Sequence, residues 1–189
     1  LSEIKIIMTP RARLSYPALF KARAMEVGKE PKFSASLIFD AAAQATPLFA
    51  AMKAQASAAA RENWGDKLPA NLRNPFRNGS EKDDPAYQGA VFINTSSKQQ
   101  PQVVGGAIDP LTGKLKVIDD PSEVYAGCYV IAAVRAYAYD AKGNRGVAFG
   151  LQALQKVADG EPLGGGVRAT EVFQPVEAGD FSDVNNLFG

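Results

Sequence analysis

Apolar and polar positions alternate with period two over Lys32 to Asp40 ("KFSASLIFD"). Phe33, Ala35, Leu37 and Phe39 fall on one face, and Lys32, Ser34 and Ser36 on the other. That is the pattern of a half-buried strand with Phe33 and Phe39 in the core. Ile4 to Met8 ("IKIIM") reads as a further short strand bounded by Pro10, and Arg11 to Arg23 as an extended stretch broken at Pro17. Thr46-Pro47 has the form of an N-cap followed by Pro at the first helical position. The Ala-rich run after it predicts a helix to Asn63, stopped by Gly65. Residues 65–89 are rich in Pro, Asn, Gly and Asp and predict a long excursion with little regular structure. Strands follow at Ala90 to Ser96, with Val91, Ile93 and Thr95 on one face, and at two short pieces around the Pro-Leu-Thr-Gly turn within Gly106 to Asp119. The longest strand is Gly127 to Asp140, which ends in a hairpin turn at Ala141 to Asn144 whose Gly and Asn tolerate positive φ.

Arg145 to Ala158 carries two patterns. As a helix it would gather Val147, Leu151, Leu154 and Ala158; as a strand, Val147, Phe149, Leu151 and Ala153. Gly146 and Gly150 each cost a helix about 1 kcal/mol relative to Ala, and a hairpin turn lies directly upstream. The strand is therefore expected, paired with the long strand before it, with Gly150 marking a bulge or a close backbone approach. After Asp159, "GEPLGGG" loses all periodicity and reads as a flexible exit. Five to seven strands, one mid-chain helix and hairpin-like connections predict a mainly β fold. The expected form is a small antiparallel barrel like the OB fold over residues 1–160, with an acidic tail over 161–189.

The chain has 189 residues, 46% of them apolar, enough for a sizeable core. The net charge is +1, but it is unevenly spread. From Glu171 to Gly189 stand Glu171, Glu177, Asp180 and Asp183 and no Lys or Arg, which leaves +5 on residues 1–170. Histidine is absent, which excludes Ser-His and Cys-His catalysis and the commonest transition-metal ligand. The single Cys128 excludes an internal disulfide and a Cys-rich zinc site, and fits a reducing compartment. There is no Walker A loop and no G-x-S-x-G motif, and Asp83-Asp84 and Asp119-Asp120 sit beside Pro in turns. Neither an enzyme nor a bound cofactor or metal is expected. No apolar run is long enough to span a membrane and no signal peptide is visible, so the expected location is cytoplasmic.

Three blocks in order carry a resemblance. They are "TPRARLSYPALFKAR", "VYAGCYVIAAVRAYAYD" and "GVAFGLQALQKVADGEPLGG". Within them stand Arg13, Leu14, Ser15, Tyr16 and Pro17; Gly127, Cys128 and Tyr129; and Gly146, Val147, Gly150, Leu151 and Gln152. Together they resemble a family of tailed-phage single-stranded DNA-binding proteins. The resemblance implies an OB fold, binding of single strands with little sequence preference during phage replication or recombination, and no catalysis. The competing reading is a β-rich structural or protein-interaction domain that does not bind nucleic acid.

Single-strand binding needs flat side chains that stack bases and cations that follow phosphates. On the long strand, Cys128, Val130, Ala132, Val134, Ala136 and Ala138 form an apolar face. Tyr129, Ile131, Arg135, Tyr137 and Tyr139 form the other. Arg135 among these tyrosines, next to Tyr137 and Tyr139, suits a stacking platform; otherwise these side chains form a solvated outer face, or the tyrosines pack under the C-terminal segment. Phe92 is a second candidate platform, with Lys98 beyond it, unless the helix covers it. Arg11, Arg13, Lys21 and Arg23 form one basic cluster, and Arg73, Phe76 and Arg77 another in the excursion. Lys142 and Arg145 flank the hairpin turn, where barrel loops often clamp a strand. In the tail, Asp180, Phe181, Asp183 and Phe188 resemble the acidic, Phe-bearing ends through which other single-strand binders dock replication or recombination proteins. Gly189 after Phe188 departs from that pattern. Monomer and dimer both remain compatible with the sequence.

Overall fold

The structure is a computed structural model, and it describes residues 5–164. The acidic tail expected from the sequence lies outside the described residues, apart from Glu161 to Gly164. The strands are β1 (Ile7–Met8), β2 (Ala12–Arg23), β3 (Lys32–Phe39), β4 (Arg77–Asn78), β5 (Val91–Ser97), β6 (Gln102–Ile108), β7 (Leu115–Val117), β8 (Tyr129–Ala141) and β9 (Asn144–Ala158). A short helix α1 (Ala41–Gln44) precedes the main helix α2 (Pro47–Trp64). The Thr46 hydroxyl accepts from the Phe49 N–H at 3.2 Å, and Gly65 ends α2 at φ 71°, so both helix signals are used as read.

Strands β2, β3, β5, β9 and β8 close a ring, because β8 pairs with β9 on one edge and with β2 on the other. The ring is not all-antiparallel, as expected from the sequence; β5 pairs with β9 in parallel. The reason is parity. Strand direction must alternate around an all-antiparallel ring, and five strands cannot alternate and close. Outside the ring, β6 pairs in parallel with β9, whereas β7 pairs with β6 and β1 with β8 antiparallel. The fold remains mostly β with one main helix, as predicted.

Three local readings need correction. Pro17 does not break β2: the strand runs through it with an extra residue, Ser15 pairing with Ser36 but Ala18 with Ser34, and a bulge absorbs the missing N–H. The hairpin turn takes its positive φ at Lys142 (52°) and Gly143 (85°), not at Asn144. Residues 145–158 form the expected strand, but the bulge falls at Gln152 rather than Gly150, since Ala133 pairs with Ala153 and Val134 with Leu151. That slip turns Leu154, not Ala153, into the core.

The core holds the predicted apolar face of β8, with Val130, Ala132 and Val134 at 0% exposure. Phe49, Met52, Ala56, Ala59 and Ala60 of α2 pack there at helical spacing. Phe39, Phe49, Phe76 and Phe149 form an edge-to-face chain with centroids 5.3, 5.4 and 5.6 Å apart. Phe39 is fully buried as read, whereas Phe33 is only partly covered. Burial pushes the Cys128 thiol up, so this cysteine behaves as a small apolar side chain.

The segment after β9 is tied down rather than free. The Arg13 guanidinium donates to the carbonyls of Gly127 (3.3 Å) and Glu161 (2.7 Å), and Leu163 N–H donates to Ala126 O at 2.9 Å. This crossing needs glycine. A Cβ on Gly127 (φ 113°) would lie 2.0 Å from the Glu161 carbonyl oxygen. Gly127→Ala is therefore expected to cost about 2–4 kcal/mol. Gly143→Ala, at a positive φ but in open space, should cost only about 1–2 kcal/mol. Urea unfolding of the two variants measures the difference; equal costs would mean that the crossing is not sterically tight.

Candidate nucleic-acid interface

The outer face of the ring is organised in rows set by strand register. The first row runs Arg13, Ile38, Phe92, Arg77 across β2, β3, β5 and β4. The second runs Ser15, Ser36, Asn94, and the third Ser34, Ser96, Gly150, Arg135. At the far end Arg23 pairs with Lys32, and Lys98 follows the Phe33–Ser97 pair.

The first row is covered. The excursion folds back through two single-turn 3-10 segments and seats Tyr87 on Ile38 and Phe92, with the Tyr87 and Phe92 rings edge to face at 5.1 Å. The Asn78 and Asp84 side chains cap those turns by accepting from Ser80 and Ala86 N–H, which is why this Asn- and Asp-rich stretch folds compactly. Burial raises the Tyr87 phenol above its ordinary range, partly offset by the Ser15 and Ser36 side chains.

The remaining rows are open on β3, β5, β9 and β8, and end on β2 in the buried Ser15 and Ala18. Their floor is small and polar: Ser34, Ser36, Asn94, Ser96 and Gly150, with the Ser36 hydroxyl donating to Asn94 Oδ1 at 2.6 Å. Arg135 and Tyr137 are exposed on the β8 side, and Tyr137 pairs across to Ala148. Arg23, Lys32 and Lys98 close the opposite end. A flat polar floor between aromatics and cations suits bases laid on the sheet and phosphates along its edges. In an OB barrel the ligand face is that of the second and third ring strands, flanked by the loops between strands one and two and four and five. Here those elements are β3, β5, the β2–β3 loop and the β8–β9 turn.

The sequence-predicted residues separate accordingly. Arg135, Tyr137, Lys142 and Arg145 are exposed on or beside the open face, and Arg145 is paired with Asp140 at 2.9 Å. Tyr139 is partly covered where Arg73 crosses Gly146: Arg73 N–H donates to Arg145 O at 2.9 Å, and a Cβ on Gly146 would lie 2.8 Å from Arg73 O. Arg73 is thereby brought to the hairpin. Lys98 bridges to Glu30 at 3.1 Å, and Lys21 and Arg23 are exposed on the last turns of β2.

Five candidates are placed elsewhere. Phe92 is 0% exposed beneath Tyr87, covered by the excursion and not by the helix, so it offers no face to a base. Phe76 belongs to the core aromatic chain. Arg13, at the end of the covered row, holds two carbonyls, and Arg11, beyond that row, lies over the Tyr129 ring at 4.9 Å. Arg77 is paired with Glu81 and sits 5.2 Å over Phe92. Sequence reading missed Ser34, Ser36, Asn94 and Ser96 as a floor, Lys32 at its end, and Tyr16 and Lys82 at its margin. The period-two polar face of β3 was the available signal. A concavity of about 1070 Å³ between β1 and β7, lined by Met8, Leu115, Val117 and Ile131, includes none of the residues of these rows and is mainly apolar.

A closed five-strand ring with one open polar, basic and aromatic face defines an OB-like binding module. A family model described as Enterobacter phage Enc34, ssDNA-binding protein, matches residues 4–184, and the chain belongs to that family. It is 30% identical over 171 residues to protein p50 of Acyrthosiphon pisum secondary endosymbiont phage 1, covering 85% of this chain and 88% of that protein. Its fold is similar to that of the single-stranded DNA-binding protein from bacteriophage Enc34 in complex with ssDNA (TM-score 0.69, 22% identity, 83% of this chain and 88% of the other). It is also similar to the single-stranded DNA-binding protein encoded by bacteriophage T7 (TM-score 0.55, 14% identity, 90% and 96%).

The division of the aromatics is testable by stability alone. Phe92→Ala should cost about 3–5 kcal/mol of folding free energy, whereas Tyr137→Ala, at an exposed site, should cost under about 1 kcal/mol. Similar costs in denaturant titrations would contradict the assignment of one ring to packing and the other to the open face.

Proposed function

We propose that this chain binds single-stranded DNA on the open rows of its ring, with little sequence preference, and so protects and organises phage DNA during replication or recombination. The observation that carries the proposal is the uncovered face itself. Exposed sheet surface on a small barrel is normally apolar-inward and plain outward; this one gathers Tyr137, Arg135, Arg23, Lys32 and Lys98 around a hydroxyl and amide floor. Such a surface meets any base through its π-face and any phosphate through charge, without a set of donors matched to one base. Membership of a single-strand-binding phage family supports the same reading. The role in this reading is binding, and with no histidine in the sequence Ser-His and Cys-His catalysis lack their base. No helix among the described residues is long and apolar enough to cross a membrane, and the site of action fits the host cytoplasm.

If four to six phosphates are neutralised, log affinity should fall against log salt with a slope of roughly −3 to −4. Tyr137→Ala should weaken binding by about 1–3 kcal/mol if a base stacks on it. Equal affinity for duplex DNA in a mobility titration, or a flat salt response, would favour a β-rich interaction domain instead.

The acidic tail supplies a second function in this reading. Its −4 charge competes for the basic face, and Phe181 and Phe188, with Asp180 and Asp183, dock a replication or recombination protein. A tether of this length holds the tail at an effective concentration on the order of millimolar. A chain ending at Thr170 should then bind single strands more tightly at low salt, with the gain shrinking as salt screens both contacts. Affinities of the full and shortened chains at two salt concentrations decide it; no gain at low salt would remove the shielding role.

A further inference from the structure

Tyr16 is the residue that the bulge in β2 expels. Ala12 and Leu14 face the core at even positions, and after the bulge Leu19 faces it at an odd one. In a regular strand the tyrosine would share the inward parity of Leu14. Instead its backbone adopts φ 45° and its side chain is 65% exposed, directly after the buried Ser15 that pairs with Ser36 of the floor. A bulky residue in the left-handed region costs on the order of 1–3 kcal/mol, and such outliers gather at ligand sites. A bulge that re-aims one side chain is a known device beside functional surfaces.

A second observation stands apart from the backbone. The Lys82 ammonium, carried by the excursion, lies 5.6 Å from the Tyr16 ring centroid and 5.7 Å from that of Phe92. Phe92 is buried and Tyr16 is not, so the cation is held from below by one ring and leaves much of the other to solvent. Lys82 itself is only partly covered. An exposed ring and a positioned ammonium side by side match the two halves of one nucleotide.

We propose that Tyr16 and Lys82 form a nucleotide subsite at the β2 margin of the open face, the Tyr16 ring stacking a base and the Lys82 ammonium taking the adjoining phosphate. This rests on the single-strand-binding reading above and extends it across the floor, from Tyr137 and Arg135 on β8 to the bulge on β2. The strain at Tyr16 is then kept because it serves the ligand and not the fold.

The test compares Tyr16→Gly, Tyr16→Phe and Lys82→Ala with the unaltered full chain. Glycine removes the ring and accepts the left-handed backbone without penalty. Tyr16→Gly should weaken binding of a single-stranded oligonucleotide roughly tenfold while its thermal midpoint stays equal or rises. Tyr16→Phe should bind within about twofold of the unaltered chain. On an abasic oligonucleotide of the same length, Tyr16→Gly should cause little further loss. Lys82→Ala should reduce the salt slope by about 0.7, the share of one phosphate on a single strand. Tyr16→Gly binding at unaltered strength, while Tyr137→Ala still weakens binding, would overturn the subsite and leave the wider reading standing. A lowered thermal midpoint in Tyr16→Gly would assign the tyrosine to the fold and also overturn it. An unaltered chain that does not retain single strands at all would overturn the binding reading, and the subsite with it.

Discussion

The double pairing of β8 is the constraint on which the rest of the structure depends. On one edge this strand bonds to β2 at Tyr129 and Val130 and then to β1 at Ala133 and Val134; on the other it bonds to β9, and α2 packs against it. Only a strand long enough to serve both neighbours can close the ring. With five strands in that ring, one pair must be parallel, and the β5–β9 pair fills that place. The parallel contact sets Ser96 beside Gly150, and Gly150 faces Arg135 across the hairpin. The row that joins the hydroxyl floor to the β8 cation is thus a direct result of ring closure.

What the ring leaves outside is then apportioned by the excursion. Tyr87 covers Ile38 and Phe92, the apolar outward positions of β3 and β5, and its phenol ends beside the Ser15 and Ser36 side chains, where the outward residues become polar. The boundary between covered and open face is therefore a boundary in sequence chemistry. Large apolar outward positions need a lid to leave water; hydroxyls and amides do not. Cations sort in the same way. Arg13 and Arg77 lie in the covered row and are bound to carbonyls or to Glu81, where they hold the lid and the segment after β9. Arg23, Lys32 and Arg135 belong to the open rows. A barrel with a near-neutral total charge can in this way present a basic strip without carrying a basic surface all round.

Much of this was legible in the sequence where a single period decided the matter. The core face of β8, the Thr46 and Gly65 ends of α2, and the strand at Asn144–Ala158 follow from local pattern and glycine cost alone. Residues whose fate depends on partners far along the chain were not legible. Phe92 alternates like an exposed platform, and only the return of Tyr87, brought in by turns at Asn78 and Asp84, buries it. Phe76 reads as part of a basic-aromatic cluster but completes a ring chain with Phe49 and Phe149. Arg13 reads as a phosphate ligand because its partners, the carbonyls of Gly127 and Glu161, carry no signal in a sequence. Conversely, serines on β3 and β5 are unremarkable one at a time and become a floor only through register. Bulges were the remaining blind spot: the extra residues at Tyr16 and Gln152 each reverse side-chain parity downstream, which is how Leu154 displaced Ala153 from the core.

Backbone strain follows the same division between inside and outside. Among the described residues, Tyr16, Asn71 and Lys142 are the non-glycine residues at positive φ. Asn tolerates that region, and Asn71 lies in the excursion where turns are expected. Tyr and Lys have no such local compensation. One sits at the bulge and the other at the tip of the β8–β9 hairpin, and both side chains are exposed around the open rows. Neither position contributes to the core, so the strain is supported by what surrounds it. Leu14 and Leu19 anchor the β2 bulge on both sides, and the β8–β9 ladder, regular from Val134–Leu151 to Ala141–Asn144, holds the turn. A closed ring with a filled interior can hold two such outward-turned residues because its register is fixed on both edges of every strand. An open sheet would relax them by slipping one residue, and both side chains would leave the face they now border.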